Sequence, residues 1–259
     1  SCLVSWAREM CIRDSPRQCF EIEQSAVANN VVRIRVTFRR CQFYDTQDGT
    51  DKVIRVSGTI ELEERDPDYQ GSDPLNDPAF DPSIFDVTFT DFSYEEEPTS
   101  GQGESIGFET GDLDIHYQSP GQDPGTGVLV IDGEVEFSYS ADTQEHFLID
   151  YRSLSISFQT DATGSVVSFL LNGTIAWRDL TRSDFPGRMQ VSYEDFAVSM
   201  DELPSGVSVT YNGAINAPCL GYVYLETQLP IFIPEGSECP TDGLIVGSSP
   251  TDGTDLFEI

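Results

Sequence analysis

Apolar and polar residues alternate one by one along most of the chain, and this pattern restricts the fold more than any other feature. In residues 32–38 the even positions are Val, Ile, Val and Phe, and the odd positions are Arg, Arg and Thr. Successive side chains of a β-strand point to opposite faces, so such segments predict strands with one buried and one wet face. Strands of this kind are usually antiparallel. The same pattern recurs in residues 60–63, 113–117, 135–137, 154–158 and 207–211.

A glycine recurs inside the apolar strand patterns, at Gly58, Gly133, Gly173 and Gly213. Between these segments lie residues 89–94 and 193–198, and more loosely 151–156, in which the apolar positions slip by one residue. A glycine inside a strand marks a bend, and a slip of one residue is typical of a β-bulge. Each repeat unit is therefore predicted to be two long antiparallel strands, one bent at glycine and the other bulged.

The predicted fold is all-β: an antiparallel up-and-down meander closed as a barrel or folded as a sandwich and stapled by disulfides. We divide it into an N-terminal disulfide-bonded segment and hairpin over residues 1–52 and a repeat-built antiparallel β domain over residues 53–259. Residues 66–83 contain four Asp-Pro pairs and predict an acidic loop, because proline cannot donate to a sheet. Residues 95–105 predict a second acidic loop.

The cysteines have no metal-type spacing, which favours disulfides and an oxidising compartment. There are six of them: Cys2, Cys11, Cys19, Cys41, Cys219 and Cys239. Residues 20–24 and 31–40 predict a hairpin with its turn at residues 29–30, which places Cys19 opposite Cys41. We therefore predict a Cys19–Cys41 bond, with Cys2–Cys11 and Cys219–Cys239 as local pairs. In an alternative interpretation Cys2 is the lipidated cysteine of a bacterial lipoprotein, since Ser-Cys can end a lipobox.

The charge of the chain excludes several classes of function. The net charge is −31, from 14 Lys and Arg against 45 Asp and Glu. Nucleic acids and anionic membranes are bound by basic patches, so both are poor partners for this chain. No apolar run approaches the roughly 20 residues that a membrane-spanning helix needs. The first residue is Ser rather than Met, which predicts a removed signal peptide and an extracellular or cell-surface location, with the periplasm or an outer-membrane lipoprotein as variants.

The few basic residues are concentrated near the N-terminus. Residues 1–55 hold nine basic and seven acidic residues, whereas residues 56–259 hold five basic and 38 acidic ones. One explanation is cross-strand pairing of the arginines within the sheet, for example with Glu61 and Glu63. The other is an interface in which the basic end of one copy meets the acidic face of the next, as in a filament. The candidate interface residues are Arg33, Arg35, Arg39 and Arg40.

Two acidic segments are candidate calcium sites, because Ca²⁺ prefers oxygen ligands on flexible loops. The first offers Asp45, Asp48 and Asp51 around a turn glycine, and the second offers Asp66, Asp68 and Asp73 in the Asp-Pro loop. The alternative is that these residues simply form turns. We predict no cofactor otherwise.

Catalytic signatures are weak. Three carboxylate pairs would suit a glycosidase, namely Glu134/Glu136, Glu194/Asp195 and Asp201/Glu202, but pairs arise by chance among 45 acidic residues. His116 falls on a wet strand face and His146 in a polar turn, and no nucleophile or zinc motif accompanies them. We therefore predict a protein that is not an enzyme.

The glycine pattern, together with residues 212–219 (NGAINAPC) and 239–245 (CPTDGLI), resembles secreted or lipoprotein β-repeat proteins of Gram-negative bacteria. The resemblance covers about residues 128–247 and implies no activity or catalytic residue. The function predicted from the sequence is a structural or assembly component of a surface complex or filament, associating with itself or with other envelope proteins. The alternatives are a binding module for an apolar ligand or glycan and, third, a carboxylate-pair glycosidase.

Overall fold

A computed structural model describes residues 19–45, 51–99, 104–120, 125–140, 144–181, 187–218, 221–237, 239–249 and 254–258. The described residues form thirteen β-strands and contain no helix. The strands are β1 (Phe20–Ala28), β2 (Val31–Asp45), β3 (Lys52–Arg65), β4 (Ile84–Pro98), β5 (Ser105–Gln118), β6 (Thr126–Ser140), β7 (Gln144–Thr160), β8 (Val166–Asp179), β9 (Met189–Leu203), β10 (Gly206–Ala217), β11 (Gly221–Pro234), β12 (Asp242–Ser248) and β13 (Asp255–Glu258).

All thirteen strands belong to one sheet, and their order in the sheet is their order in the chain. Every neighbouring pair is antiparallel, which confirms the predicted all-β meander. The barrel alternative is wrong: the described strands form one sheet that is not closed, with β1 and β13 as its two edges. The predicted domain boundary falls at the start of β3, which pairs with both β2 and β4.

The hairpin at the start of the described chain confirms the cysteine prediction there. β1 and β2 pair around a turn at residues 29–30, and Cys19 is bonded to Cys41 with their Cα atoms 5.1 Å apart. Cys239 is a free, exposed thiol among the described residues, and the predicted Cys2–Cys11 and Cys219–Cys239 bonds stay predictions. Cys219, Cys2 and Cys11 lie outside the described residues.

The alternation in sequence sorts the side chains onto two faces of the sheet. One continuous row of register partners runs Ile34, Leu62, Val87, Ile115, Ile131 and Leu154 from β2 to β7. We call the face that carries this row the apolar face. The neighbouring row runs Arg35, Glu61, Thr88, Asp114 and Asp132, and its face is the polar face.

The predicted pairing of a glycine with a bulge is confirmed near the middle of the strands. Gly58 has a φ of 97°, and the β4 residues Asp91 and Phe92 together lie opposite it. Asp91 has a φ of 45°. A Cβ on Gly58 would lie 2.3 Å from the carbonyl oxygen of Asp91, so only glycine fits there. Gly133, Gly173 and Gly213 also have positive φ and are approached as closely by a neighbouring strand's backbone, in their case that of the preceding strand.

Each of these glycines leaves a gap on the apolar face, and a large side chain from the facing strand fills it. The Cα atoms of Phe92, Leu113, Leu154 and Phe196 lie within 3 Å of the position that a Cβ on the glycine would take. All four side chains are buried. Over Gly58, the ring of Phe92 meets Phe38 from β2 with centroids 6.2 Å apart. Because Gly58 has no side chain, rings from the strands on either side of β3 can touch above it.

Side chains just before two of the glycines hold the bulges in place. Asp132 Oδ1 accepts a hydrogen bond from the backbone N–H of Ser153 at 2.6 Å. Asn172 Oδ1 accepts one from the backbone N–H of Asp195 at 2.8 Å. Ser153 and Asp195 are the bulge residues with positive φ on β7 and β9. In each Asx-Gly pair, the glycine thus bends its own strand, and the Asx side chain accepts a hydrogen bond from the backbone N–H of the bulge residue on the neighbouring strand.

The Asp-Pro loop over residues 66–83 contains no strand, as predicted. It is ordered around the carboxylate of Asp66, which is buried and accepts hydrogen bonds from the backbone N–H groups of Asp68, Tyr69 and Asp81 at 3.0, 3.1 and 3.0 Å. Phe80 packs against Tyr69 edge to face at 5.5 Å and also against the apolar cluster of the first strands. The loop therefore caps one end of that cluster.

Candidate interaction surface

The apolar face is covered unequally along the sheet. On β2 and β3, Ile34, Val36 and Val56 are each 1% exposed, because aromatic rings from β1, β4 and β5 and Phe80 of the loop pack around them. In the middle of the sheet the same face carries Leu129, Ile156 and Leu171, which are partners in register on β6, β7 and β8. These residues are only partly buried. Between buried residues such as Leu113, Val135 and Leu154, the apolar face over β5 to β9 therefore carries side chains that are only partly buried.

The size of this surface can be estimated from strand geometry. Five neighbouring strands at about 4.8 Å spacing, each about 14 residues long, cover roughly 24 by 45 Å. A standard protein interface buries about 800 Å² on each partner. The whole apolar face over these strands is thus about as large as one side of a standard interface, and large apolar patches on proteins mark interaction sites.

The candidate arginines lie on the polar face at the opposite end of the sheet, and most of them are paired within it. Arg35 lies opposite Glu61 and donates to it at 2.8 Å. Arg33 donates to Glu63, and this hydrogen bond raises the pKa of Arg33 above its ordinary value. Arg39 forms an ion pair with Glu21 on β1 at 2.7 Å. These contacts are the cross-strand pairing that the sequence offered as the first explanation.

Arg40 differs from the other three candidate arginines. It is exposed, has a φ of 55° at the β2 bulge, and forms no ion pair with any residue that the structure describes. Three of the four candidate arginines thus pair with glutamates of neighbouring strands, and Arg40 remains exposed at the surface.

The acidic run at residues 95–97 is part of a strand, which corrects the predicted loop over residues 95–105. Glu95 and Glu97 lie on the polar face of β4, where Arg55 donates to both, at 2.9 and 2.6 Å. The bond from Arg55 lowers the pKa of Glu97 below its ordinary value. Because these cross-strand cations offset the repulsion between neighbouring carboxylates, the strand continues to Pro98.

A groove of about 650 Å³ lies on the polar face above strands β2 to β7. Its floor includes the register row Ser57, Ser93, Glu109 and Glu136. The hydroxyls of Ser57 and Ser93 are 2.7 Å apart, and His146 Nε2 lies 2.6 Å from Glu136 Oε1. The groove is therefore polar, with two glutamates directly opposite each other.

The carboxylates of the predicted catalytic pairs have different contacts. Glu134 lies on the polar face opposite Asp150, while Glu136 is engaged by His146. Glu194 accepts a hydrogen bond from Tyr222, and Asp195 is the bulge residue of β9. The remaining pair, Asp201 and Glu202, is exposed near the end of β9. His116 Nδ1 contacts Asp86 Oδ1 across β4 and β5 on the same wet face that the sequence predicted for it.

The calcium candidates fall into two groups. Asp48 and the side chain of Asp45 lie outside the described residues, and Asp51 is exposed at the start of β3. In the loop, Asp66 holds backbone N–H groups, and both oxygens of Asp73 accept bonds from Asn76 at 3.2 and 3.0 Å. Within the part of the chain that is described, no group of three or more His, Cys, Asp or Glu side chains is arranged to hold a metal ion. The calcium hypothesis stays a prediction.

Two tyrosines of β11 project from the polar face, and neither was predicted from the sequence to be a functional residue. Tyr222 and Tyr224 are each 42% exposed. They alternate along one strand, opposite Asn216 and Ala214. The carboxylate of Glu194 accepts the hydrogen bond of the Tyr222 hydroxyl and so raises the pKa of Tyr222. Their spacing of two residues was the available signal, since it places both rings on one face.

Comparisons with protein-family models, with curated proteins and with solved structures found no match to this chain. The resemblance to bacterial β-repeat proteins therefore stays a prediction. Among the described residues there is no helix of the length and apolar character needed to cross a bilayer.

Proposed function

We propose that this chain is a non-enzymatic structural or assembly protein of the cell surface or extracellular space, which associates through its apolar face. The observation that carries the proposal is the partly buried apolar face over β5 to β9 on a single open sheet. The Cys19–Cys41 disulfide supports the oxidising location, because such bonds persist outside the cytosol.

A second copy of the chain is the partner that best fits this surface. The apolar face of one sheet packs on another sheet at about 10 Å, which buries both faces and forms a sandwich. The two copies would present the same surface to each other, as in a two-fold dimer. Burial of apolar area on both copies would offset the roughly 4–15 kcal/mol that association costs, to an extent set by how well the two faces pack.

Neighbouring residues on opposite faces provide the test. Ile149 lies on the apolar face of β7, opposite Val135, whereas Leu148 lies on the polar face, opposite Glu136. Both side chains are partly buried. We expect Ile149→Asp to remove the apolar-face contact, and so to lower the association state seen in native mass spectrometry and light scattering, and Leu148→Asp to leave that state unchanged. A wild-type chain that is monomeric at tens of micromolar, with both variants folded by circular dichroism, would contradict the proposal.

The exposed tyrosines of β11 favour a second candidate, a binding module for a glycan. Tyr222 and Tyr224 offer two ring faces about 7 Å apart, each with an apolar body and a polar tip. Asn216 and Glu194 next to them supply hydrogen-bonding groups of the kind that sugar hydroxyls need.

A panel of soluble polysaccharides in affinity electrophoresis tests this second candidate. Tyr224→Ala should weaken the retardation by a binding polysaccharide about tenfold or more. Tyr44→Ala is the control, because Tyr44 is 68% exposed on the polar face at the other end of the sheet. Equal retardation of both variants would exclude the tyrosine platform.

A further inference from the structure

The first strand of the sheet has a free hydrogen-bonding edge. β1 pairs with β2 on one side, and no described residue bonds to the backbone on its other side. Glu21 and all residues from Glu23 to Ala28 are exposed. An unpaired edge of this kind is a ready template for a strand from another chain.

The direction of the free backbone groups follows from the register. The N–H of Arg39 donates to the carbonyl of Cys19 at 2.8 Å, so this pair is of the hydrogen-bonded kind. In an antiparallel ladder, bonded and non-bonded pairs alternate. Glu21, Glu23 and Ser25 therefore bond to β2, and the backbone groups of Ile22, Gln24 and Ala26 point outward.

The usual protection of an edge is weak on β1. The strand has no Pro and no Lys, which are common blocking residues. Its two charges are compensated within the sheet, since Glu21 pairs with Arg39 and Glu23 lies opposite Arg35. An irregularity between Ala26 and Ala28 interrupts the far end, which leaves the segment before it as the regular edge.

We infer that β1 pairs antiparallel with β1 of a second copy, about a two-fold axis at Gln24. In this register the outward groups of Ile22 meet those of Ala26, and Gln24 meets itself. Glu23 then faces Ser25, and Glu21 faces Val27. Moving the partner by two residues toward the N-terminus brings Glu23 opposite Glu23, and like charges directly opposite are unfavourable. The charge pattern of β1 thus disfavours a shift toward the N-terminus, and the irregularity after Ala26 disfavours a shift the other way, which leaves the two-fold register at Gln24.

The other edge of the sheet is a poorer match for β1. β13 has four residues, from Asp255 to Glu258, whereas β1 has nine. A like-with-like contact of β1 is therefore favoured over a head-to-tail contact between the two edges. It also continues the apolar face, because Ile22 lies opposite Val36 on that face.

Two different two-fold contacts on one subunit generate an open chain of copies. The edge contact alone makes a dimer, and the polymer follows only if the apolar-face contact of the proposed function also forms. The edge inference itself does not depend on the apolar face.

Gln24→Pro is the decisive variant. It removes an outward N–H at the two-fold axis without breaking a bond to β2, and proline is tolerated on edge strands. Gln24→Ala keeps the N–H and is the matched control. In the Ile149→Asp background, which removes the apolar-face contact, we expect a dimer by native mass spectrometry, a dimer Kd raised at least about tenfold by Gln24→Pro, and little change with Gln24→Ala.

The outcomes separate the two contacts. A monomeric Ile149→Asp chain at concentrations where the wild type is dimeric supports the apolar face and overturns the edge inference. Wild-type association that is lost with Gln24→Pro but kept with Ile149→Asp supports the edge and overturns the proposed function.

As a direct readout, Gln24→Cys in a Cys239→Ser background should form a disulfide-linked dimer on oxidation, because the axis brings this position opposite itself. Ala28→Cys should crosslink far less.

Discussion

Two parts of the apolar face, one at the β2 end of the sheet and one in its middle, show how burial differs for the same sequence pattern. On β2, Ile34 is 1% exposed, because rings from the neighbouring strands and Phe80 pack around it. On β6, Ile131 lies in the same register row and follows the same alternation, yet it is only partly buried. Alternation therefore determines which face a side chain occupies, and the packing of the side chains around it determines how far it is buried.

The difference also separates two sources of stability. Near β2 and β3 the chain closes its own core with Phe20, Phe89, Phe92 and Phe108. Over β6 to β8 the apolar face also carries aromatic side chains, such as Phe137 and Phe158, but Ile131 is only partly buried there. We propose that association completes this burial. Both regions contain a glycine bend, because Gly58 and Gly133 have positive φ and each lies close to the backbone of a bulged neighbouring strand, β4 and β5 respectively.

The largest effect is expected from filling a bend glycine. A Cβ at Gly58 or Gly133 would lie 2.3 Å from a backbone oxygen, and both residues have positive φ. Backbone strain and overpacking together should cost about 2–6 kcal/mol in Gly58→Ala and in Gly133→Ala, measured by urea unfolding. Gly111 has nothing within 4 Å of its Cβ position, so Gly111→Ala is the control and should change stability by less than about 0.5 kcal/mol. A large cost at Gly58 and none at Gly133 would show that the bends differ.

Truncation of one isoleucine in each region measures the difference in closure. Ile34→Ala should cost about 2–5 kcal/mol, because it leaves a cavity in a closed core. Ile131→Ala should cost about 1 kcal/mol in the monomer, where part of the side chain is already in contact with water. Unfolding of both variants is measured in the Ile149→Asp background, which keeps association through the apolar face out of the comparison. Equal losses at the two sites would mean that the middle of the face is as closed as the end.

Local features of the sequence predicted the closed end well. The Cys19–Cys41 bond and the hairpin followed from residues near each other in the chain, and the bends followed from Gly58 and its equivalents. The open edges did not follow, because alternation carries no information about how the first and last strands end. Glu95 and Glu97 were assigned to a loop because a run of like charges normally favours solvent, and their partner Arg55 lies 40 residues away from Glu95.

Removal of the Cys19–Cys41 bond should weaken the closed end specifically. The bond closes a loop with a sequence separation of 22, for which chain entropy predicts about 3 kcal/mol. Thiol reduction should lower the urea midpoint of the wild type, and the Cys19→Ala/Cys41→Ala variant should show the lower midpoint without reductant. Hydrogen exchange should increase in β1 and β2 and stay unchanged in β7 and β8. A uniform increase across the sheet would indicate one cooperative unit rather than two unequal regions.

The smallest effect concerns two glutamates of the closed end whose titration has opposite sign. The hydrogen bond from Lys52, aided by that from Tyr94, lowers the pKa of Glu96 below its ordinary value of 4.5, whereas partial burial raises the pKa of Glu64 above the same value. A lowered carboxyl pKa stabilises the fold above pH 4.5 and loses this contribution as the pH falls through the folded-state pKa. A raised one destabilises the fold at neutral pH, and the penalty disappears as the pH falls below its folded-state pKa.

Glu96→Gln should therefore lower the free energy of unfolding at pH 7 by about 1 kcal/mol, and the loss should vanish near pH 3. Glu64→Gln should raise it at pH 7 and have no effect at pH 3. Urea unfolding between pH 3 and pH 7 measures both, with Glu202→Gln as the control on an exposed residue. Effects of the same sign for Glu96 and Glu64 would show that net charge, rather than the local contacts of the closed end, governs stability, because each variant removes one negative charge from a chain of net charge −31.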